Sequence, residues 1–175
     1  MRFPLEGRVA IVTGSSRRIG KVIALQLGAD MAKVVVCART ERSSEDNPGS
    51  IGETVEAIRG NGGTALPVRA DVTNDAEVLV VVDKILAEFG RVDVLVNNAG
   101  LLDGRGTFLG GDPALLDVFN RTNLRAPYII CQMRIQSDSV LASASLIDAR
   151  SLSISSCMMR TTSDVCRSAS CCISP

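Results

Sequence analysis

Thr13-Gly14-Ser15-Ser16-Arg17-Arg18-Ile19-Gly20 decides the fold of this chain. An apolar run over residues 8–13 leads into it. Ile19, Val22, Ile23, Leu25 and Leu27, spaced as on one helix, lead out. The pattern predicts a buried parallel strand, a turn and an amphipathic helix. Gly14 permits a tight turn, and Gly20 lets the helix pack closely on the strand. The first amides of that helix face its N-terminal side, where the helix dipole favours an anion such as a pyrophosphate. A plain strand-to-helix turn would use the same glycines, so the remaining sequence has to discriminate.

Working outward, residues 33–38 read as a second strand and residues 51–59 as a helix with Ile51, Val55 and Ile58 on one face. Asn61-Gly62-Gly63 stops that helix. Residues 64–70 read as a third strand, against which Pro67 argues. Asn74 or Thr73 is placed to cap a helix over residues 75–89. Residues 92–96 read as a fourth strand. Asp112-Pro113, an N-cap followed by proline at the first helical position, opens a long helix over residues 112–133 that carries Asn123 and Tyr128. Strands alternating with helices predict βαβ units, right-handed crossovers and an α/β fold built on a doubly wound parallel sheet. Ligand is expected at the carboxyl ends of the strands, where the marked residues fall.

Composition narrows the function classes. At 175 residues one domain is expected. Lys plus Arg equal Asp plus Glu at 19 each, which gives no electrostatic case for nucleic acid or an anionic membrane. No apolar run reaches membrane-spanning length, and the N-terminus lacks a long apolar segment, so a cytoplasmic protein is expected. Histidine is absent, which removes the commonest general base and metal ligand. Cys37 and Cys131 lie in apolar segments and read as core residues. Cys157, Cys166, Cys171 and Cys172 form no C-x-x-C pair, so no metal site is predicted.

The turn motif, Asp71-Val72 after the third strand, Asn97-Asn98-Ala99-Gly100 after the fourth and Asn123 in the following helix occur in a characteristic order. Over residues 5–132 the chain resembles the classical short-chain dehydrogenase/reductase family. The resemblance implies a Rossmann-type fold and hydride transfer between a nicotinamide cofactor and a small-molecule carbonyl or alcohol. It assigns Gly14, Ser16, Arg17, Arg18, Ile19 and Gly20 to cofactor binding, with Arg18 standing where the family usually has glycine. It further implies that Asp71 accepts from the adenine amino group and that Val72 packs the ring. By the same resemblance Asn97 supports the central sheet and lines the cofactor. Ala99 and Gly100 bring backbone towards the nicotinamide ribose. Asn123 is implied as a catalytic residue whose helix backbone holds a water linked to a lysine. The family is usually homo-oligomeric.

Cofactor choice follows from charge. An NAD enzyme of this fold places an acid at the end of the second strand. Here Cys37-Ala38-Arg39-Thr40 has none until Glu41, while Arg17, Arg18 and Arg39 suit a 2′-phosphate. NADP is expected over NAD.

The family pattern then breaks. It calls for a serine, then a tyrosine four residues before a lysine, the pair that handles the proton. The chain has one tyrosine, Tyr128, and no lysine after Lys84. Tyr128 reads as a packing residue, and Ser155 and Ser156 match the serine segment only faintly. Residues 134–175 contain twelve serines and four cysteines and lose regular periodicity, although 139–147 and 151–156 could pass as weak strands. These features predict a dinucleotide-binding domain at residues 1–133, an irregular tail at 134–175, and a family member truncated or frame-shifted at its C-terminal side. The sheet is then incomplete, with the fourth strand an exposed edge. Three readings stay open: an NADP-dependent oxidoreductase, a dinucleotide-binding fragment without turnover, and a defective product.

Overall fold

The computed structural model describes residues 5–45, 48–101, 112–137 and 157–160. The chain runs β1 (Val9–Thr13), α1 (Arg18–Ala29), β2 (Lys33–Ala38), α2 (Ile51–Gly60), β3 (Thr64–Arg69), α3 (Asp75–Phe89), β4 (Val94–Asn97), α4 (Pro113–Phe119), a π-helical stretch (Asn120–Arg125), α5 (Ala126–Ser137) and β5 (Cys157–Arg160). The sheet order is β3-β2-β1-β4-β5, with the first four strands parallel and β5 antiparallel to β4.

β1, β2 and β4 are largely apolar because both of their faces are covered. Side chains alternate across a sheet. Ala10, Val12, Val34, Val36, Val94 and Val96 meet Ala24 and Leu27 of α1 and Ile51, Val55 and Ile58 of α2. Val9, Ile11, Val35, Cys37, Val68 and Leu95 meet Val78, Val81 and Ile85 of α3 and Ile130 and Cys131 of α5. Cys37 and Cys131 are therefore core residues, as the sequence predicts. Burial, with a smaller contribution from Glu77, pushes the Cys37 thiol up to about 12, so it stays protonated. Pro67 is tolerated because β3 is an edge strand of the described sheet.

The helix ends follow capping rules. Asn74 rather than Thr73 caps α3, accepting from the Ala76 and Glu77 amides. Asp112 caps α4 through the Ala114 amide at 2.9 Å, with Pro113 at the first position. Two expectations are corrected. The helix predicted over residues 112–133 widens into a π-helical stretch at Asn120–Arg125. Pro127 has no N–H to donate to the carbonyl four residues back, that of Asn123, so the α-helical ladder must adjust upstream. The second correction is that β5 pairs with β4 from Val94↔Arg160 to Asn97↔Cys157, so β4 is not an open edge. An edge strand's unpaired N–H and C=O groups accept any extended segment, and a four-residue partner leaves little periodicity to read. The weak strands suggested at 139–147 and 151–156, Ser155, Ser156, Cys166, Cys171 and Cys172 lie outside the described residues.

Candidate functional site: a cleft at the carboxyl ends of the parallel strands

Thr13 and Asn98 knit the ends of β1 and β4 together. Thr13 Oγ1 donates to the Val96 carbonyl at 3.3 Å and accepts from the Asn98 and Ala99 amides, each at 3.0 Å. Asn98 Nδ2 donates to the carbonyls of Thr13 at 2.8 Å and Gly14 at 3.2 Å. The glycine-rich turn is held from its other side. Ser15 Oγ donates to the Val12 carbonyl at 2.7 Å and accepts from the Cys37 amide at 3.1 Å. Thr54 of α2 donates to the Ser15 carbonyl at 3.0 Å.

The glycines act by clearance. Gly14 has φ +67°, and a Cβ there would sit 2.8 Å from Ala99 Cα. A Cβ on Gly20 would overlap Asn98 Nδ2 and the Gly14 carbonyl. No side chain caps α1 at Arg17, and its first turn carries no acid, so its N-terminal amides keep their affinity for an anion. Arg18 takes φ +49°, a left-handed conformation that explains why glycine is usual there. Arg18→Gly is expected to raise the unfolding free energy by about 0.5–1 kcal/mol, checked by chemical denaturation. A destabilised variant would contradict backbone strain at this position.

These elements enclose a cleft of about 890 Å³. Gly14, Ser16, Arg17, Arg18, Ile19 and Gly20 line it from the turn and the start of α1, Arg39 from just after β2, Asp71 and Val72 from just after β3, and Ala99 and Gly100 from just after β4. Arg17 Nη2 donates to Thr40 Oγ1 at 2.6 Å. Arg39 Nη1 lies 3.6 Å from Asp71 Oδ2. Partial burial pushes the Asp71 carboxyl up, but hydrogen bonds from Thr73 and the Arg39 charge outweigh it and hold it below the usual range.

Asn97 and Asn123 are not among the residues that line the cleft. Asn97 is the buried end of β4; its Nδ2 reaches Cys131 Sγ at 3.5 Å, and its Oδ1 has no hydrogen-bond partner among the described residues. It lies below the cleft, and Asn98 is the asparagine that lines it. Asn123 is outside the cleft lining. Its Oδ1 accepts from the Leu101 amide and its Nδ2 donates to the Leu101 carbonyl, both at 2.8 Å. It clamps the backbone that follows Gly100, whose added Cβ would lie 3.2 Å from Asn123 Oδ1. Tyr128 is not a packing residue: its side of α5 faces solvent, it is 54% exposed, and its hydroxyl accepts from Gln132 at 2.8 Å. It is absent from the cleft lining. The sequence reading missed Thr13 and Asn98, whose polar side chains at strand ends are the available signal.

Residues 8–149 match the family profile described as short chain dehydrogenase. The chain belongs to this family. The match runs past residue 133 into the serine-rich segment. Among similar proteins, this short-chain dehydrogenase is 36% identical over 125 residues to the human hydroxysteroid dehydrogenase-like protein 2, covering 71% of this chain and 30% of that protein. It is 44% identical over 96 residues to glucose 1-dehydrogenase 2 of Bacillus subtilis (strain 168), covering 55% of this chain and 35% of that one. A metagenomic short-chain oxidoreductase solved in complex with NADP superposes with a TM-score of 0.67 at 34% identity, over 76% of this chain and 57% of that chain. A short-chain type dehydrogenase/reductase from Mycobacterium marinum gives 0.69 at 31% identity, over 78% and 52%. The chain spans about a third of the length of these curated relatives. No helix among the described residues is long and apolar enough to cross a membrane.

Proposed function

We propose that the cleft binds a nicotinamide dinucleotide, NADP in preference to NAD, as the cofactor half of an oxidoreductase acting on a small carbonyl or alcohol. One observation carries this reading: the uncapped N-terminus of α1 opens into the cleft, at a turn that Gly14 and Gly20 let pack directly against the residues after β4. The residues fit the group. The first turn of α1 would hold the pyrophosphate, Asp71 and Val72 the adenine, and the backbone of Ala99 and Gly100 the nicotinamide ribose. Arg17, Arg18 and Arg39 line the adenosine side without a carboxylate at the end of β2, which supports a 2′-phosphate. The related structure with NADP supports the same choice. When bound, the cofactor supplies a hydride. Asn123 sets the backbone beside that end through Leu101 rather than touching a reacting atom.

A second reading is binding without turnover. It is favoured by the position of Tyr128, exposed on α5 and away from the cleft. Missing general acid catalysis typically costs about 10²–10⁴-fold in rate. The test is titration of the chain with NADPH and NADH by calorimetry, followed by NADPH oxidation against a panel of ketones. Saturable binding that favours NADPH is expected. Equal or weaker NADPH binding would overturn the arginine argument, and binding of neither would overturn the reading of the cleft. Ketone-dependent oxidation at ordinary family rates would exclude the second reading.

A further inference from the structure

We propose that Asp71 limits how strongly this cleft prefers a 2′-phosphate, acting through Arg39. The inference rests on the reading of the cleft as an NADP site. Arg39 follows β2 and Asp71 follows β3, and the register Ala38↔Arg69 brings both out at the same end of the sheet. The Asp71 carboxylate is held in place. Its Oδ1 accepts from the Thr73 amide at 2.9 Å and the Thr73 hydroxyl at 2.7 Å. The amide of Asp71 donates to Glu77 Oε2 at 2.9 Å, and Asn74 Nδ2 donates to Glu77 Oε1 at 3.1 Å. The turn into α3 is therefore tied at both ends, and Oδ2 is left facing the Arg39 guanidinium at 3.6 Å.

Arg39 is 68% exposed, so it is open to an arriving anion. That anion meets a guanidinium already shared with a fixed carboxylate. A 2′-phosphate carries about −1.5 to −2 charge near pH 7. It must displace Asp71 from Arg39 and approach the carboxylate as well. A 2′-hydroxyl does neither, so Asp71 penalises one ligand and spares the other. Any contribution of Asp71 to adenine binding is common to both ligands and cancels in their ratio. Geometry and charge therefore assign to Asp71 a specificity role separate from contact with the base.

The test measures the affinities of the full chain for 2′,5′-ADP and 5′-AMP, probes that differ only in the 2′-phosphate. Asp71→Asn retains the Oδ1 acceptor for Thr73 and removes the charge. It is expected to raise the ratio in favour of 2′,5′-ADP by about threefold to tenfold at low ionic strength. The gain should shrink at about 0.5 M salt, where screening is short-ranged. In an Arg39→Ala background the same change should move the ratio by less than twofold. Asp71→Ser repeats the measurement if the asparagine variant unfolds. An unchanged or lowered ratio, or an equal gain without Arg39, overturns the role of Asp71 while leaving NADP binding in place. Binding of neither probe by the unaltered chain overturns both.

Discussion

Asp93→Ala is expected to lower the unfolding free energy by about 3 kcal/mol. Asp93 lies at the opposite end of the sheet, immediately before β4, and its side chain is only 4% exposed. Its carboxylate accepts from the Val9 amide at 2.8 Å, from Arg8 Nη1 at 3.0 Å and from Arg91. Its own amide donates to the Val9 carbonyl at 2.8 Å, so one residue ties β4 to the start of β1 at two points. Alanine leaves the Val9 amide without its carboxylate acceptor in a buried position. Burial pushes the Asp93 carboxyl up, but the Val9 amide and the two arginines outweigh it and hold it below the usual range. A carboxyl lowered in the folded state contributes stability above its unfolded value, about 3.9, and loses it as pH falls through the lower folded value. Stability should therefore drop on acidification below about pH 4, and Asp93→Asn should flatten that drop. Urea denaturation at several pH values reads both effects. An Asp93→Asn profile parallel to that of the unaltered chain would show that Asp93 is not the group responsible.

Gly20→Ala is expected to cost about 2–3 kcal/mol and to weaken NADPH binding at least tenfold, about 1.4 kcal/mol. Gly20 carries no positive φ, so the cost is steric. A methyl there would overlap the Gly14 carbonyl, which is backbone, and Asn98 Nδ2, which is tied to the Thr13 and Gly14 carbonyls. Neither can yield without moving the turn or separating the ends of β1 and β4. Gly52→Ala on α2 is the control. Its added Cβ meets only Ser50 Oγ, at 3.8 Å, so helix propensity should raise stability by up to about 1 kcal/mol. Thermal unfolding and NADPH titration of the two variants separate clearance from propensity. A Gly20→Ala chain that binds NADPH normally would refute the tight approach of α1 to β4.

The boundaries of β2 and α3 match those read from the sequence, and β1, α2, β3 and β4 lie within one or two residues of theirs. These elements are legible because burial on both faces writes itself as continuous Val, Ile, Leu and Ala runs, while helices keep a 3.6-residue period. The cleft is legible for a related reason. Turn glycines, Asp71 and the Asn-Asn-Ala-Gly segment all follow strand ends, and a parallel sheet gathers its strand ends on one side. Less legible is which of two adjacent asparagines enters the cleft. Strand alternation buries Asn97 against Cys131 and turns Asn98 towards Gly14, and a shift of one residue in strand length would exchange them. The Arg39–Asp71 pair was equally hidden, since it depends on β2 and β3 being neighbours in register.

Local pattern alone specified a βαβ order and the turn that carries the glycines. Those properties depend on residue type and spacing within about ten to twenty positions, the range over which periodicity and turn chemistry act. Long-range packing decided the rest. It placed Asp93 under Val9, 84 residues away, and Asn123 on the Leu101 backbone, 22 residues away. It set β5 against β4 in antiparallel register and left Tyr128 facing solvent beyond the cleft. Such contacts join groups whose spacing along the chain carries no signal, because a buried amide or carboxylate is satisfied by whichever partner the folded chain brings within hydrogen-bonding reach.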